Sequence, residues 1–265
     1  MATIFDTHAH YNDEQFDADR DELLRSMAAH NVGTIITSGA SYKDCRDAVR
    51  IAHDYPFVYA SIGLHPDNCG DLRLDGVWEW VANTAKNDAK VVAIGEIGLD
   101  YHWNVEEHDY QKLCFIRQLN LAKSLGLPVV IHSREAAQDT MDLMRAHAAG
   151  LTGSLHCYSY SPEMAAEYVK LGWYIGVGGV VTFKNGKKLK AVVEQTPIER
   201  ILLETDCPYL APVPYRGKRN DSRYIDYVAD TIAQLKGMTK DDVIRITREN
   251  AEGLFHVPAQ DADAV

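Results

Sequence analysis

Eight short apolar runs of β-type residues alternate along this chain with amphipathic, helix-type segments. The runs cover residues 3–8, 32–38, 57–64, 90–97, 128–133, 152–157, 173–179 and 200–206. Helices are predicted at 13–31, 41–55, 74–89, 105–126, 135–150, 161–172 and 187–194, with two more at 221–236 and 239–250. Eight β–α units in about 250 residues are typical of a (β/α)8 TIM barrel. A doubly wound open sheet is the competing α/β arrangement.

Capping residues set the expected ends of several helices. Ser161 before Pro162, and Thr239, are residue types that begin helices well. Glycine supplies the left-handed residue with which many helices end. We therefore expect helices to end near four glycines: Gly33, Gly126, Gly150 and Gly172.

Side chains that bind divalent metal ions stand at the ends of runs one, four, five, six and eight. They are His8, His10, Glu96, His132, His156 and Asp206. The carboxyl ends of the strands form the catalytic face of a (β/α)8 barrel. Only a closed barrel brings the first strand beside the eighth, so this placement favours the barrel over the open sheet. Imidazoles and carboxylates that converge on one point are what a hydrolytic metal centre requires.

Strand periodicity groups two pairs of these side chains. Residues two apart in a strand share a face, so His8 and His10 are expected to point the same way, as are Glu204 and Asp206. A lone His-x-His is weak evidence in a chain with 11 histidines. The assignment of His8 and His10 as ligands depends on the further acid and imidazole side chains that occupy equivalent strand ends.

Glu96 is the most informative of these residues, because a carboxylate that closes an apolar strand is costly to bury without a partner. A position between two cations would remove that cost, since each oxygen can bind one metal. A buried, salt-bridged glutamate is the alternative. Under the metal interpretation, His8, His10 and Asp206 complete the first site, and His132 and His156 complete the second.

Five residues are candidates for roles around such a centre. The free oxygen of Asp206 is expected to accept a proton from an attacking water. Glu204 could orient a ligand histidine or form a charge pair in the barrel core. His65 ends the third run and is expected to touch the substrate. Arg134 and Arg216 are candidate phosphate clamps, with surface ion pairing as the alternative.

Composition limits the class of protein and its location. A hydrophobic content of 46% and a charged content of 25% are ordinary for a soluble enzyme. No run approaches the ~18 apolar residues of a membrane span, and the first residues lack the basic and apolar parts of an export signal. Five cysteines without a Cys-x-x-Cys pair indicate reduced thiols. We expect a cytoplasmic monomer without membrane association, with one barrel domain over 1–257 and a disordered tail over 258–265.

The formal net charge is −11, which argues against a protein that coats duplex nucleic acid. It does not exclude a nuclease, because metal ions and a local basic patch can bind a few phosphates. Two stretches, 184–190 and 216–219, are rich in lysine and arginine. A solvated surface explains each of them equally well.

A series of longer motifs runs through nearly the whole chain. They are Asp-Thr-His-Ala-His at 6–10, Gly-Leu-His-Pro at 63–66, Gly-Glu-Ile-Gly-Leu-Asp-Tyr at 95–101, Val-Ile-His-Ser-Arg at 130–134, His-Cys-Tyr-Ser at 156–159, Leu-Glu-Thr-Asp-Cys-Pro-Tyr-Leu at 203–210, Pro-Tyr-Arg-Gly-Lys-Arg-Asn at 214–220 and Asn-Ala-Glu-Gly-Leu-Phe at 250–255. Together they resemble the TatD-type metal-dependent deoxyribonucleases, and among these the YcfH-like members.

The resemblance implies a metal-dependent barrel of the amidohydrolase superfamily that cleaves phosphodiester bonds in DNA, with the same six residues as ligands of two divalent ions. On this basis we expect trimming of single-stranded DNA ends, with the basic stretches holding the nucleic acid backbone. Two alternatives stay open: hydrolysis of esters or amides, for example aminoacylated tRNA, and metal binding without turnover. The sequence leaves the metal open among zinc, magnesium and manganese.

Overall fold

A computed structural model describes residues 2–103 and 105–257. The tail predicted to be disordered, 258–265, lies outside the described residues. Eight parallel strands form one sheet, in which each strand pairs with the next along the chain. The strands are β1 Ile4–Ala9, β2 Val32–Ser38, β3 Val58–Ile62, β4 Val91–Asp100, β5 Val129–Arg134, β6 Gly153–Leu155, β7 Tyr174–Val177 and β8 Ile201–Leu203.

The sheet closes on itself between its first strand and the chain just after its last. Ala9 forms a parallel bridge with Cys207. The backbone N–H of His10 donates to the carbonyl of Cys207 over 2.7 Å, and that of Asp206 donates to the carbonyl of His8 over 2.9 Å. In an open sheet these segments would lie on opposite edges. The predicted (β/α)8 TIM barrel is therefore confirmed.

Helices cover the outside of the barrel: α1 Arg20–Arg25, α2 Tyr42–Asp54, α3 Val77–Asn87, α4 His108–Leu125, α5 Ala137–His147, α6 Pro162–Lys170, α7 Lys187–Gln195, α8 Ile225–Lys236 and α9 Lys240–Phe255. The predicted starts of α6 and α9 are confirmed, since the side chains of Ser161 and Thr239 accept hydrogen bonds from N–H groups three residues further on. Among the described residues, no helix is both long and apolar enough to cross a membrane.

The connection between β1 and β2 differs from its prediction. In place of one helix over 13–31, α1 spans only Arg20–Arg25 and lies between short 3-10 turns. The predicted helix end at Gly33 is wrong, because Asn31 takes the left-handed conformation (φ 60°) and Gly33 is buried within β2. Asparagine is the residue that most readily replaces glycine in this conformation.

The amino-terminal end of the barrel is closed by α9. Phe5 of β1 and Val130 of β5 pack with Leu254 and Phe255 in a buried apolar cluster. The rings of Phe5 and Phe255 lie 6.2 Å apart. Because this end is filled, only the opposite end, where the strands terminate, is left for a polar cleft.

Candidate metal centre

The six predicted ligands meet at the carboxyl end of the barrel, around a cleft of about 470 Å³. The residues that line this cleft include His10, Glu96, His132, His156 and Asp206. His8 is fully buried beneath them. β8 ends at Leu203, three residues earlier than predicted, and the chain then turns at Asp206, whose φ is 56°. That turn presents the Asp206 carboxylate to the cleft.

The first cluster consists of His8, His10 and Asp206. The Nε2 atoms of His8 and His10 are 3.1 Å apart. Oδ1 of Asp206 lies 3.6 Å from Nε2 of His8 and 3.4 Å from Nε2 of His10. These three atoms all lie within 4.8 Å of one another, close enough to bind one ion.

The second cluster consists of His132 at the end of β5 and His156 after β6. Nδ1 of His132 and Nε2 of His156 are 3.2 Å apart. The ring of His156 stacks on that of His8 of the first cluster, with centroids 4.0 Å apart. The two clusters are therefore immediate neighbours.

Glu96 joins the two clusters. Its Oε2 atom lies 3.4 Å from Nε2 of His8 and 3.6 Å from Nε2 of His10. Its Oε1 atom lies 2.8 Å from Nδ1 of His132 and 2.6 Å from Nε2 of His156. Each carboxylate oxygen thus faces a different cluster, which is the geometry expected of a carboxylate between two cations.

Hydrogen bonds around the centre fix which nitrogens face it. Nδ1 of His10 lies 2.9 Å from the carbonyl oxygen of Ser38, which can only accept, so this nitrogen carries the proton. In the neutral ring, Nε2 then directs its lone pair at the first cluster. Nε2 of His132 lies 3.1 Å from Oδ2 of Asp100, which leaves Nδ1 for the second cluster. A carbonyl or carboxylate on the outer nitrogen is the arrangement that orients histidines toward metals.

The close packing of imidazoles and carboxylates shifts their pKa values. Burial lowers the pKa of His10, but Asp206 and Glu96 outweigh it and raise that pKa to about 9. Burial is likewise outweighed at His132, where Asp100 and Glu96 raise the pKa to about 9. Burial raises the pKa of Glu96, yet the neighbouring imidazoles hold it well below its usual range. Metal ions must therefore displace protons from His10 and His132 at neutral pH.

The donor set fits divalent metal ions. Imidazole nitrogens and carboxylate oxygens in two adjacent clusters, joined by one carboxylate, are the ligands that two-metal hydrolytic sites use. A third group with ligand atoms in mutual reach, His65, Asp100 and His132, shares His132 with the second cluster. Because Asp100 already pairs with the outer nitrogen of His132, we assign it the role of orienting that ring.

His65 lies in the cleft beside His132 and Glu96. Its ring centroid is 4.3 Å from that of His132, and its Nε2 is 3.7 Å from Oε1 of Glu96. Nδ1 accepts a hydrogen bond from the backbone N–H of Asp67, so Nε2 carries the proton in the neutral ring. Burial and the neighbouring His132 lower the pKa of His65 to about 3. His65 is therefore a neutral hydrogen-bond donor in the cleft.

The structure places one of the two predicted phosphate clamps at the cleft. Arg134, at the end of β5, lines it. Arg216 is not among the residues that line this cleft, and its guanidinium lies 4.4 Å over the ring of Phe183. Arg219, in the same basic stretch, forms a 2.5 Å ion pair with Asp19. Two of the basic side chains in the stretch 216–219 thus already contact other residues of the protein.

Glu204 is buried behind the ligands and does not line the cleft. Its Oε1 atom accepts a 2.5 Å hydrogen bond from the backbone N–H of Cys157, the residue that follows His156. Burial raises the pKa of Glu204 to about 8. Gly176 lies directly against this carboxyl group, since a Cβ there would lie 2.2 Å from Oε2 of Glu204 and would force the side chain to shift. The carboxyl group of Glu204 therefore anchors the segment that carries His156 through the backbone N–H of Cys157, and not through the histidine ring.

Three residues around the centre were not predicted from the sequence. Asp100 and Ser38 pair with the outer nitrogens of ligand histidines. Asp6 is buried and accepts hydrogen bonds from Thr205 and Ser222, which tie β1 to the segment after β8. The spacing of Glu96 and Asp100, four residues apart in one strand, was a usable signal, because both then lie on the same face.

Replacing Asp100 by asparagine is expected to weaken metal binding by roughly 10- to 100-fold, because the neutral amide lacks the charge that holds the proton on Nε2 of His132 and makes Nδ1 a stronger ligand. Titration of metal-stripped protein with Zn²⁺ or Mn²⁺ in a calorimeter measures this. Asp88→Asn is the matched control, since Asp88 makes a similar 2.9 Å contact with His53 far from the cleft. Equal affinities for the two variants would contradict the orienting role of Asp100.

A barrel with this centre at its carboxyl end is the architecture of a metal-dependent hydrolase, and known proteins with similar sequences bear the same description. The family model described as TatD related DNase matches residues 5–256. The uncharacterized metal-dependent hydrolase YabD of Bacillus subtilis is 43% identical over 255 residues, which cover 96% of this chain and 99% of that protein. The uncharacterized metal-dependent hydrolase YcfH of Escherichia coli is 34% identical over 264 residues, 97% of each chain.

A solved structure gives the same result. The TatD homologue YjjV of Escherichia coli superimposes with a TM-score of 0.89 at 31% identity, over 97% of this chain and 99% of that one. This chain belongs to the TatD family of metal-dependent hydrolases.

Proposed function

We propose that this protein is a two-metal phosphodiesterase that removes nucleotides from the ends of single-stranded DNA. The observation that carries the proposal is the position of Glu96, whose two oxygens face separate histidine clusters. Two-metal sites of this kind act on phosphodiesters by stabilising both the attacking and the leaving oxygen. The description of the matching family, TatD related DNase, supports the same substrate class.

Side chains of both clusters have defined parts in this reaction. Bound divalent ions would polarise a phosphoryl oxygen and lower the pKa of water. Asp206 reaches both histidines of the first cluster through Oδ1. Its Oδ2 atom is then the position that accepts the proton of the attacking water. His65 and Arg134, both in the cleft, supply hydrogen-bond donors to the non-bridging phosphate oxygens.

Ester or amide hydrolysis is the second candidate, and one feature favours it. A smaller pocket of about 170 Å³ opens beside Asp206, with apolar walls that include Val180, Leu189 and Leu210. An acyl chain would fit such walls better than a phosphate would. Under this alternative the centre is unchanged and the bond that is cleaved differs.

We further propose a cytoplasmic monomer. Its five cysteines are free, as reduced thiols would be. The exposed large apolar side chains include Leu74 before α3, Leu113 on α4 and Leu171 after α6, so they are distributed over separate elements and not gathered in one interface.

The deciding experiment compares two substrate classes with one preparation. Metal-stripped protein receives Zn²⁺, Mg²⁺ or Mn²⁺ and is incubated with end-labelled single-stranded DNA and with a panel of acyl esters and aminoacylated tRNA. We expect metal-dependent shortening of the DNA from one end and intact esters. Cleaved esters with intact DNA would show that the protein hydrolyses acyl substrates at this site and would refute the phosphodiesterase proposal. Bound metal without turnover of either class would indicate a metal-binding protein.

A further inference from the structure

Two exposed aromatic side chains flank the metal centre. Among the large apolar side chains that are exposed in the described residues, the aromatic ones are Trp103 and Tyr209, 54% and 49% exposed. Both line the same cleft as the two metal clusters. Isolated exposed apolar side chains are common on protein surfaces. The notable feature here is that both aromatic ones lie at the mouth of the centre.

The two aromatic rings lie on opposite sides of this mouth. Trp103 follows β4 and Tyr209 follows β8, and these strands are four positions apart in a ring of eight. The ring centroid of Tyr209 is 6.4 Å from that of His10 of the first cluster. The centroid of Trp103 is 5.8 Å from the guanidinium carbon of Arg134, two residues after His132 of the second cluster. A strand that crosses the centre would therefore meet one aromatic ring on each side.

Both rings are held by polar neighbours. The hydroxyl of Tyr209 donates a 2.8 Å hydrogen bond to Oδ2 of Asp13, and its backbone N–H donates to the carbonyl of Asp206. The Trp103 ring packs edge-on against His102, with centroids 4.4 Å apart. His102 in turn pairs with Glu135 over 2.8 Å. These contacts restrict the rings before a ligand binds, which lowers the entropic cost of stacking.

The charges that line the cleft disfavour strong binding of a phosphate backbone there. The carboxylates that line it are Asp13, Asp44, Asp67, Glu96, Asp100 and Asp206. Among the described residues that line this cleft, Arg134 is the single arginine and no lysine is present. The metal ions and Arg134 can neutralise only the phosphates at the reacting linkage. Lys188 lines the smaller pocket on the other side of Asp206 and not this cleft. Within the cleft, the bases are therefore the parts of a strand that its remaining side chains can bind.

We propose that Trp103 and Tyr209 are base-stacking positions for a single-stranded nucleic acid, and that stacking supplies most of its affinity. The inference rests on the proposed phosphodiesterase function and names the part of the substrate that is recognised. Aromatic stacking tolerates any base, because each base has a π-face. A base in a duplex has its faces covered by its neighbours, so this mode of binding selects single strands and frayed ends.

Binding of two matched ligands to the metal-loaded full chain tests the proposal. The first ligand is a short phosphorothioate oligodeoxynucleotide, which resists hydrolysis. The second has the same backbone, with tetrahydrofuran in place of the two bases that flank the central linkage. We expect a weakening of roughly 5- to 100-fold per base removed. A plot of log Kd against the logarithm of the salt concentration should have a slope of about 1, as expected for one or two phosphate contacts.

Variants assign the effect to the aromatic rings. In Trp103→Ala, the penalty for removal of one of the two bases should disappear, and Trp103→Phe should restore most of it. Tyr209→Ala and Tyr209→Phe should behave in the same way for the other base. Leu113→Ala removes an exposed apolar side chain on α4, 64% exposed, and serves as the control with unchanged binding.

The outcomes separate this inference from the proposed function. Equal affinity for the two ligands, or a salt slope of about 4 as for several backbone contacts, would overturn base stacking even if DNA is hydrolysed. A base-dependent affinity that is reduced in Trp103→Ala and in Tyr209→Ala would uphold it, even if single-stranded DNA is bound and not cleaved. A base-dependent affinity that neither variant changes would overturn it.

Discussion

Glu96→Gln is expected to lower kcat/KM by at least roughly 10³-fold, equivalent to about 4 kcal/mol of transition-state stabilisation. If the protein binds two ions as proposed, the metal content should fall from two per chain to fewer than one. The amide keeps the shape of the side chain, but its nitrogen cannot bind a cation and its charge is lost. Because Oε1 and Oε2 face different clusters, a single substitution weakens both sites at once.

Elemental analysis of the purified variant, together with hydrolysis of single-stranded DNA, measures these two effects. Glu107→Gln is the control, since that carboxylate forms a surface ion pair with Arg73 over 2.9 Å. Circular dichroism melting verifies that the variant is folded, because a buried carboxylate has been removed. Unchanged metal content and activity in Glu96→Gln would refute the assignment of the centre.

The strand ends carried most of the information that the sequence offers about this centre. In a parallel barrel every strand ends at the same face, so an acid or histidine after an apolar run is placed there before any contact is known. Glu96, His132 and His156 converge in the structure for this reason. The prediction needed only the order of the runs and the rule that such barrels close.

The residues that orient the ligands were harder to predict, because their contacts depend on register. Asp100 reaches His132 since β4 continues to Asp100 and pairs with β5 in the register that places Gly98 opposite His132. Ser38 holds His10 through its backbone carbonyl, which every residue type possesses. Neither the register nor a carbonyl contact leaves a signature in residue types.

The packing around Glu204 also could not be predicted from the sequence. The glycines at 176, 178 and 179, within β7 and just after it, form no motif that points to Glu204. In the structure, Gly176 lies against Oε2 of the Glu204 carboxyl group, which a Cβ at that position would displace. The reason for that glycine is 28 residues away along the chain and is visible only once the strands are placed side by side.

The basic stretch at 216–219 illustrates an ambiguity in charge patterns. Arg219 pairs with Asp19 and Arg216 lies over Phe183, whereas the arginine that lines the cleft is Arg134. A charge run reports local composition, and it does not show which charges are neutralised by distant parts of the chain.

Asp206→Asn is the second prediction with a large expected effect. The variant should lose roughly 10²- to 10⁴-fold in kcat, the usual contribution of a general base. Asparagine tolerates the left-handed backbone at this position, φ 56°, as well as aspartate does, so the change tests the chemistry of the carboxylate and not its backbone. Metal content should stay at the wild-type level, because His8, His10 and Glu96 still supply three donors to the first cluster.

The pH dependence of the variant distinguishes a proton acceptor from a simple ligand. Neighbouring imidazoles outweigh burial and lower the pKa of Asp206, so the wild-type carboxylate is ionised and able to accept a proton at neutral pH. In Asp206→Asn the residual rate should rise more steeply with pH, because solvent hydroxide replaces the missing base. Asp142→Asn, on an exposed part of α5, should leave the profile unchanged. If the variant loses its metal in parallel with its activity and keeps the wild-type pH profile, Asp206 acts as a ligand alone and another group accepts the proton.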